Sequence, residues 1–124
     1  MLERCTLIEP FYCGENDSVI DVAKKLRTST LRQLFVVNEQ KYPVGVISTT
    51  DINNRVVAEG KDPHSLQAKD IMSKPIEVYD IHMDATDVYR EMRDRKRLMC
   101  AVVDRETFMG MVTLGEVFKH VATQ

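Results

Sequence analysis

The amino-acid sequence predicts an α/β protein of two pseudo-symmetric β-α-β-β-α repeats packed through their sheets, and three duplicated features predict it. A short apolar strand ending in hydroxyls and an acid, Gly45-Val46-Ile47-Ser48-Thr49-Thr50-Asp51, returns as Gly110-Met111-Val112-Thr113-Leu114-Gly115-Glu116, with glycine first, a hydroxyl fourth and a carboxylate seventh. A helical apolar face at i, i+3, i+4 and i+7, made by Val19, Val22, Ala23 and Leu26, returns as Ala85, Val88, Tyr89 and Met92. A continuous apolar strand, Leu34-Phe35-Val36-Val37, returns as Met99-Cys100-Ala101-Val102-Val103. A spacing of 66 residues separates Asp21 from Asp87 and Val36 from Val102, whereas 65 separates Gly45 from Gly110, so the second hairpin is predicted to be one residue shorter.

Taken in order, Leu7 and Ile8 supply the first core contacts, and Pro10 to Cys13 is a short strand closed by the turn formers Gly14 to Asp17. Asp17 or Ser18 caps the first helix, which stops near Thr28-Ser29-Thr30. After the buried strand, Asn38 to Pro43 forms a hairpin connection, Val44 to Ser48 returns antiparallel, and a helix from Thr50 to about Glu59 ends at Gly60. Lys61 to Ser65 is the candidate linker, and Leu66 to Met72 is a short helix. The pattern then restarts: strand Ile76 to Tyr79, turn Asp80 to Met83, helix from Ala85, strand Met99 to Val103, connection Asp104 to Phe108, strand Met109 to Thr113 and helix Glu116 to Ala122. This divides the chain into a first motif over 1–62 and a second over 63–124. A unit of that size buries too little surface alone, so the two are expected to pack together and leave two equivalent clefts.

The 124 residues carry 44% hydrophobic and 29% charged side chains, the composition of an ordinary globular domain. No signal-like segment or membrane-length apolar run is present, which predicts a cytoplasmic protein without a membrane partner. A net charge of −2 argues against a general nucleic-acid binder. Cys5, Cys13 and Cys100 are three widely spaced thiols with no Cys-x-x-Cys pair, so neither a disulfide framework nor a metal site is indicated, and Cys100 reads as a small buried hydrophobe. His64, His82 and His120 are scattered in polar surroundings, and no nucleophile, base and orienting group form a catalytic set, so no enzyme is expected.

The chemistry-bearing stretch is the strand-to-helix corner at Ser48-Thr49-Thr50-Asp51. Backbone N–H groups at a helix start and side-chain hydroxyls suit an anion, and a carboxylate can accept from adjacent sugar hydroxyls. Ser, Thr and Asp are also preferred helix caps, so closure of the helix by Thr50 or Asp51 is the competing reading of this corner.

The duplicated corner, the two apolar strands ending in Asn38 and Asp104, and Lys69-Asp70-Ile71-Met72-Ser73 leading into the second copy resemble the CBS-domain family, as a tandem pair (a Bateman module) over Cys5 to Ala122. The resemblance implies a regulatory module that binds AMP, ADP, ATP or S-adenosylmethionine in an inter-repeat cleft and signals by a change of shape or association, with no required cofactor. It implies that Asp51 accepts from the ribose, that Ser48, Thr49 and Thr50 line the phosphate or ribose, that Val46 lies near the base, that Arg32 meets the phosphate, and that Met83 and Val88 line the adenine pocket from the other copy. The weaker second site comprises Thr113, Glu116, Met111, Asp17, Val22 and Leu98. There Glu116 replaces the aspartate, Gly115 removes a hydroxyl and Leu98 stands where the first copy has Arg32. A homodimer of such pairs is implied, formed through exposed apolar residues on the last helix of each repeat, with a separate effector protein as a further partner.

Two further features have plain readings. The basic run Arg93-Asp94-Arg95-Lys96-Arg97 sits where a helix end favours cations. Met83, Met92, Met99, Met109 and Met111 fall at core-type positions. The competing functional reading is a ligand-free dimerisation or docking module.

Overall fold

The computed structural model describes residues 1–122. Two three-stranded sheets and five α-helices form among them, in the order β1 (Tyr12–Gly14), α1 (Val19–Arg27), β2 (Gln33–Val37), β3 (Pro43–Ser48), α2 (Thr49–Ile52), α3 (Ala68–Ile71), β4 (Val78–Asp80), α4 (Ala85–Asp94), β5 (Met99–Asp104), β6 (Thr107–Thr113) and α5 (Leu114–Ala122). The β-α-β-β-α pattern therefore occurs twice, with the short α3 between the copies.

The two sheets share one topology. In each, the middle strand is the apolar one: β1 runs parallel to β2 and β3 antiparallel to it, and β4, β5 and β6 repeat this. The parallel pair needs a crossover, which α1 and α4 supply. Register also repeats, since Val36 faces Gly45 and Val102 faces Gly110. Both hairpins are bulged just beyond that pair, Val37 facing Pro43 and Val103 facing Phe108. The extra residue is Val44 in one bulge and Met109 in the other. The predicted loss of one residue from the second hairpin lies beyond the bulge, where Asp104 pairs with Thr107 across a two-residue turn instead of the longer connection read from the sequence.

The helices bury the faces their spacing predicts. Val19, Val22 and Leu26 are buried on α1, and Ala85, Val88 and Met92 on α4. Ser18 caps α1, its hydroxyl accepting from Asp21 N–H at 3.2 Å. The next N–H groups of α1, which have no partner inside the helix, donate to the chain after the first repeat: Val19 to Leu66 O at 2.9 Å and Ile20 to Pro63 O at 3.1 Å. The stretch read as a linker is thus tied to the start of α1.

The first strand of each repeat starts two residues later than read, at Tyr12 rather than Pro10 and at Val78 rather than Ile76, and two helices and one methionine also differ from the sequence reading. The second helix begins at Thr49 and changes at Asn53–Val57 to π-helical turns, with Ala58 N–H donating to Asn53 O at 2.8 Å. Two consecutive asparagines, poor helix formers, stand at that change. The last helix begins at Leu114, two residues before the expected Glu116. Met109, expected in the core, is 39% exposed as the unpaired residue of its bulge, while Met92 and Met111 are fully buried.

The chain separates into two compact units, Tyr12–Ile76 and Met1–Phe11 with Glu77 onward. The sequence reading placed the boundary at 62/63. The compact units cut across those two motifs, because each lead-in segment bonds to a repeat other than the one it precedes. Ile8 exchanges backbone hydrogen bonds with Met111 at 2.8 and 2.9 Å, and Ser73 does the same with Val46 at 2.8 and 3.1 Å. Glycines admit these approaches. A Cβ on Gly110, which has φ of +152°, would lie 2.4 Å from Ile8 O, and one on Gly45 would lie 2.5 Å from the Met72 sulfur. The core of the unit containing the second repeat gathers Leu2, Cys5, Tyr79, Ala85, Val88, Met92, Cys100, Val102, Val112 and Val117. No helix among the described residues is long and apolar enough to cross a membrane.

Candidate functional site

In the unit Tyr12–Ile76, β3 delivers the first corner directly into α2. Ser48, still extended, is the cap: its hydroxyl accepts from Asp51 N–H at 3.1 Å, and Asp51 Oδ2 accepts from Ser48 N–H at 2.8 Å and from the Ser48 hydroxyl at 3.1 Å. This is a capping box with Ser48, rather than Thr50 or Asp51, as the capping residue. The other carboxylate oxygen, Oδ1, has Arg55 Nε at 3.7 Å, one helical turn on. Thr49 and Thr50 are exposed and Val46 is partly buried.

Arg32 belongs to the same corner. Its carbonyl accepts from Thr49 N–H at 3.0 Å, so its exposed side chain starts beside the hydroxyls although it lies 16 positions before Ser48. The second copy repeats the bond with Leu98 O accepting from Leu114 N–H at 2.9 Å, but the side chain there is apolar and 76% exposed. Asp17 is exposed and its carboxylate accepts from Gly14 N–H at 2.9 Å, while Val22 is a core residue at 1% exposure.

The second corner keeps the cap. Thr113 Oγ1 accepts from Glu116 N–H at 3.1 Å. The longer Glu116 side chain reaches elsewhere: Oε2 accepts from Thr6 N–H at 3.0 Å and lies 3.0 Å from His120 Nε2, and Lys119 Nζ is 3.7 Å from Oε1. The Thr6 N–H, then the His120 ring, with Lys119 adding charge, outweigh burial and hold this carboxyl below the usual glutamate range. Met111 is fully buried in the same unit, Val88 lies in its core at 0% exposure, and Met83 is partly buried against that core.

Burial raises all three thiols above their ordinary range. Burial first, then the Asp17 carboxylate, pushes Cys13 up to about 12; burial first, then Glu77, pushes Cys100 up to about 12. Cys5 is raised by burial and by Glu116. The basic run is a neutralised helix end, because Arg95 and Arg97 both pair with Glu77 and Arg95 also pairs with Glu91.

Sequence reasoning missed Arg55, Cys5 and His120. The i, i+4 spacings Asp51/Arg55 and Glu116/His120, each one face of a helix, were available as signals for the first and last. Cys5 had none. It reaches α5 only through the fold, beside a hydrogen bond between residues 110 positions apart.

The CBS domain family model matches residues 6–58 and 68–123. An uncharacterised protein of Methanopyrus kandleri is 29% identical over 104 residues, covering 83% of this chain and 53% of its own length, so the chain spans about half of that relative. The solved structure of a conserved CBS domain protein of unknown function from Thermoplasma acidophilum is 26% identical with a TM-score of 0.77, over 96% of this chain and 67% of that one. The hexameric CBS-CP12 protein from bloom-forming cyanobacteria shares the fold at 23% identity and a TM-score of 0.74, over 95% of this chain and 70% of that one. Two copies of one fold, two capped corners and a family match to each copy make this chain a member of the CBS-domain family, carrying a tandem CBS pair of the regulatory kind.

Proposed function

We propose that the chain binds one adenine nucleotide at the Asp51 corner and transmits its presence as a change of shape or self-association. The observation that carries the reading is the bond from Thr49 N–H to Arg32 O, which keeps a guanidinium's backbone against three hydroxyl residues and a carboxylate. In this reading Asp51 Oδ1 accepts from the ribose, Thr50, Thr49 and Arg32 meet the phosphate, and Val46 flanks the base. Ser48 then acts mainly by orienting Asp51, since its hydroxyl proton is already given to that carboxylate.

The second corner, at Thr113, Glu116 and Met111 with the Leu98 carbonyl bonded to it, is the poorer one. Leu98 offers no cation, and Glu116 is drawn toward Thr6 and His120. The hexameric assembly of the cyanobacterial CBS-CP12 protein supports self-association as the output. Val57, 66% exposed after α2, and Phe118, 50% exposed on α5, are the apolar residues that would join two pairs into a homodimer or dock a separate effector.

Isothermal titration with AMP, ADP, ATP and S-adenosylmethionine tests the reading. One ligand is expected to saturate near one per chain, and Asp51→Ala to weaken it at least roughly tenfold, the worth of a hydrogen bond to a charged group. Asp51→Asn, which keeps an acceptor for Ser48 N–H, separates loss of the ligand contact from loss of the cap. Absence of heat with all four compounds would overturn the assignment in favour of a ligand-free interaction module.

A further inference from the structure

We propose that Cys5, Glu116 and His120 form a binding site for a divalent transition-metal ion of the zinc class, which fastens the N-terminal segment to helix α5. One ligand atom from each of the three lies within 4.8 Å of the other two. Bonds of about 2.1 Å at tetrahedral angles put ligand atoms about 3.5 Å apart, so small side-chain rotations close the set. Glu116 Oε2 and His120 Nε2 are already 3.0 Å apart.

Each ligand is held independently of a metal. Glu116 and His120 stand one turn apart on one face of α5, and the Thr6 N–H steadies the carboxylate from outside, as metal-bound carboxylates are commonly steadied. Cys5 is fixed by its N–H bond to Leu2 O at 2.9 Å and by the bridge from Ile8 to Met111. A thiol, an imidazole and a carboxylate together select zinc-like ions over magnesium or calcium, which take oxygen ligands alone. Cys5 is buried, whereas the glutamate and histidine side chains are 18% and 26% exposed, so one side of the set is open to a water as fourth ligand.

The first repeat supplies an internal comparison. Asp51 and Arg55 occupy the positions of Glu116 and His120, 65 residues earlier, and there the permanent cation Arg55 lies 3.7 Å from the carboxylate. Arg55 also donates to the lead-in carbonyls of Ile71 and Met72, at 3.1 and 3.4 Å. A metal ion on Cys5, Glu116 and His120 would make the same link between last helix and lead-in segment. This inference does not depend on nucleotide binding at Asp51.

Titration of the reduced, chelator-treated chain with Co²⁺ tests it by absorption. Saturation at one ion per chain is expected, with a near-ultraviolet thiolate-to-cobalt band and tetrahedral visible bands, both abolished by equimolar Zn²⁺. Cys5→Ser is expected to remove the thiolate band and Cys100→Ala to retain it. His120→Gln, on the accessible side, is expected to weaken affinity by more than the roughly tenfold cost of losing an outer partner. Absence of a thiolate band in the unsubstituted chain, or its persistence in Cys5→Ser, would overturn the proposal. Circular dichroism of each variant establishes that it is folded, and His120→Gln keeps the test decisive if Cys5→Ser is not.

Discussion

Tyr79 is 2% exposed, and its buried hydroxyl has no hydrogen-bond partner among the described residues. Burial pushes its phenol above the ordinary tyrosine range, and an unsatisfied buried hydroxyl costs stability. The corresponding residue of the first sheet is Cys13, which carries no such demand, since it faces Val36 as Tyr79 faces Val102. Tyr79→Phe is therefore expected to stabilise the chain by about 1 kcal/mol, read as a higher urea midpoint with an unchanged slope. A lower midpoint would mean that the hydroxyl has a partner in solution. That position 79 lies in a strand was legible in the sequence, but its burial and the missing partner were not, because alternation alone puts Tyr79 on the face of Glu77 and the partner depends on every neighbour at once.

Helix α4 ends in a Schellman motif: Lys96 N–H donates to Arg93 O at 3.1 Å and Arg97 N–H to Met92 O at 2.8 Å. The residue in the left-handed conformation is Lys96, with φ of +58°, where glycine is the usual occupant. Lys96→Gly is expected to raise stability by about 0.5–1 kcal/mol in thermal or urea unfolding, since Lys96 makes no ion pair among those that neutralise this run. The helix end was readable from its cations, which suit a C-terminal dipole. Its left-handed residue was not, because no glycine marks it. At the first corner, likewise, the presence of a cap was legible but was read as Thr50 or Asp51, and the choice of Ser48 was made by which side chain reaches the third N–H of the helix.

For the molecule as a whole, Glu77 is the charge that binds the start of the second repeat's first strand to the end of its helix. Burial opposes its ionisation, but its own backbone N–H and the Arg97 and Arg95 guanidiniums outweigh burial and hold its carboxyl below the usual glutamate value of 4.5. A depressed folded-state pKa contributes stability above the unfolded value and loses it as pH falls through the folded value. Stability is thus expected to decline as pH drops below about 4.5, with Glu77→Gln costing up to about 1 kcal/mol at pH 7 and the two proteins converging in acid. Thermal unfolding across pH 2.5–7 at fixed salt, on the order of the carboxylate titration range, checks it; parallel curves would exclude Glu77 as a source of acid sensitivity.

The sequence by itself determined the duplicated β-α-β-β-α order, the buried middle strands, the apolar faces of α1 and α4, and the one-residue difference between hairpins. All are local: alternation and helical periodicity are written within a few residues, and duplication made each reading checkable against its copy. Only the tertiary structure decided which repeat each lead-in segment joins, that the stretch after Gly60 ties down the start of α1, and that Cys5 meets Glu116 and His120. Those outcomes depend on hydrogen bonds and close approaches between distant parts of the chain, such as Ile8 with Met111, which leave no periodic trace in the residues that make them.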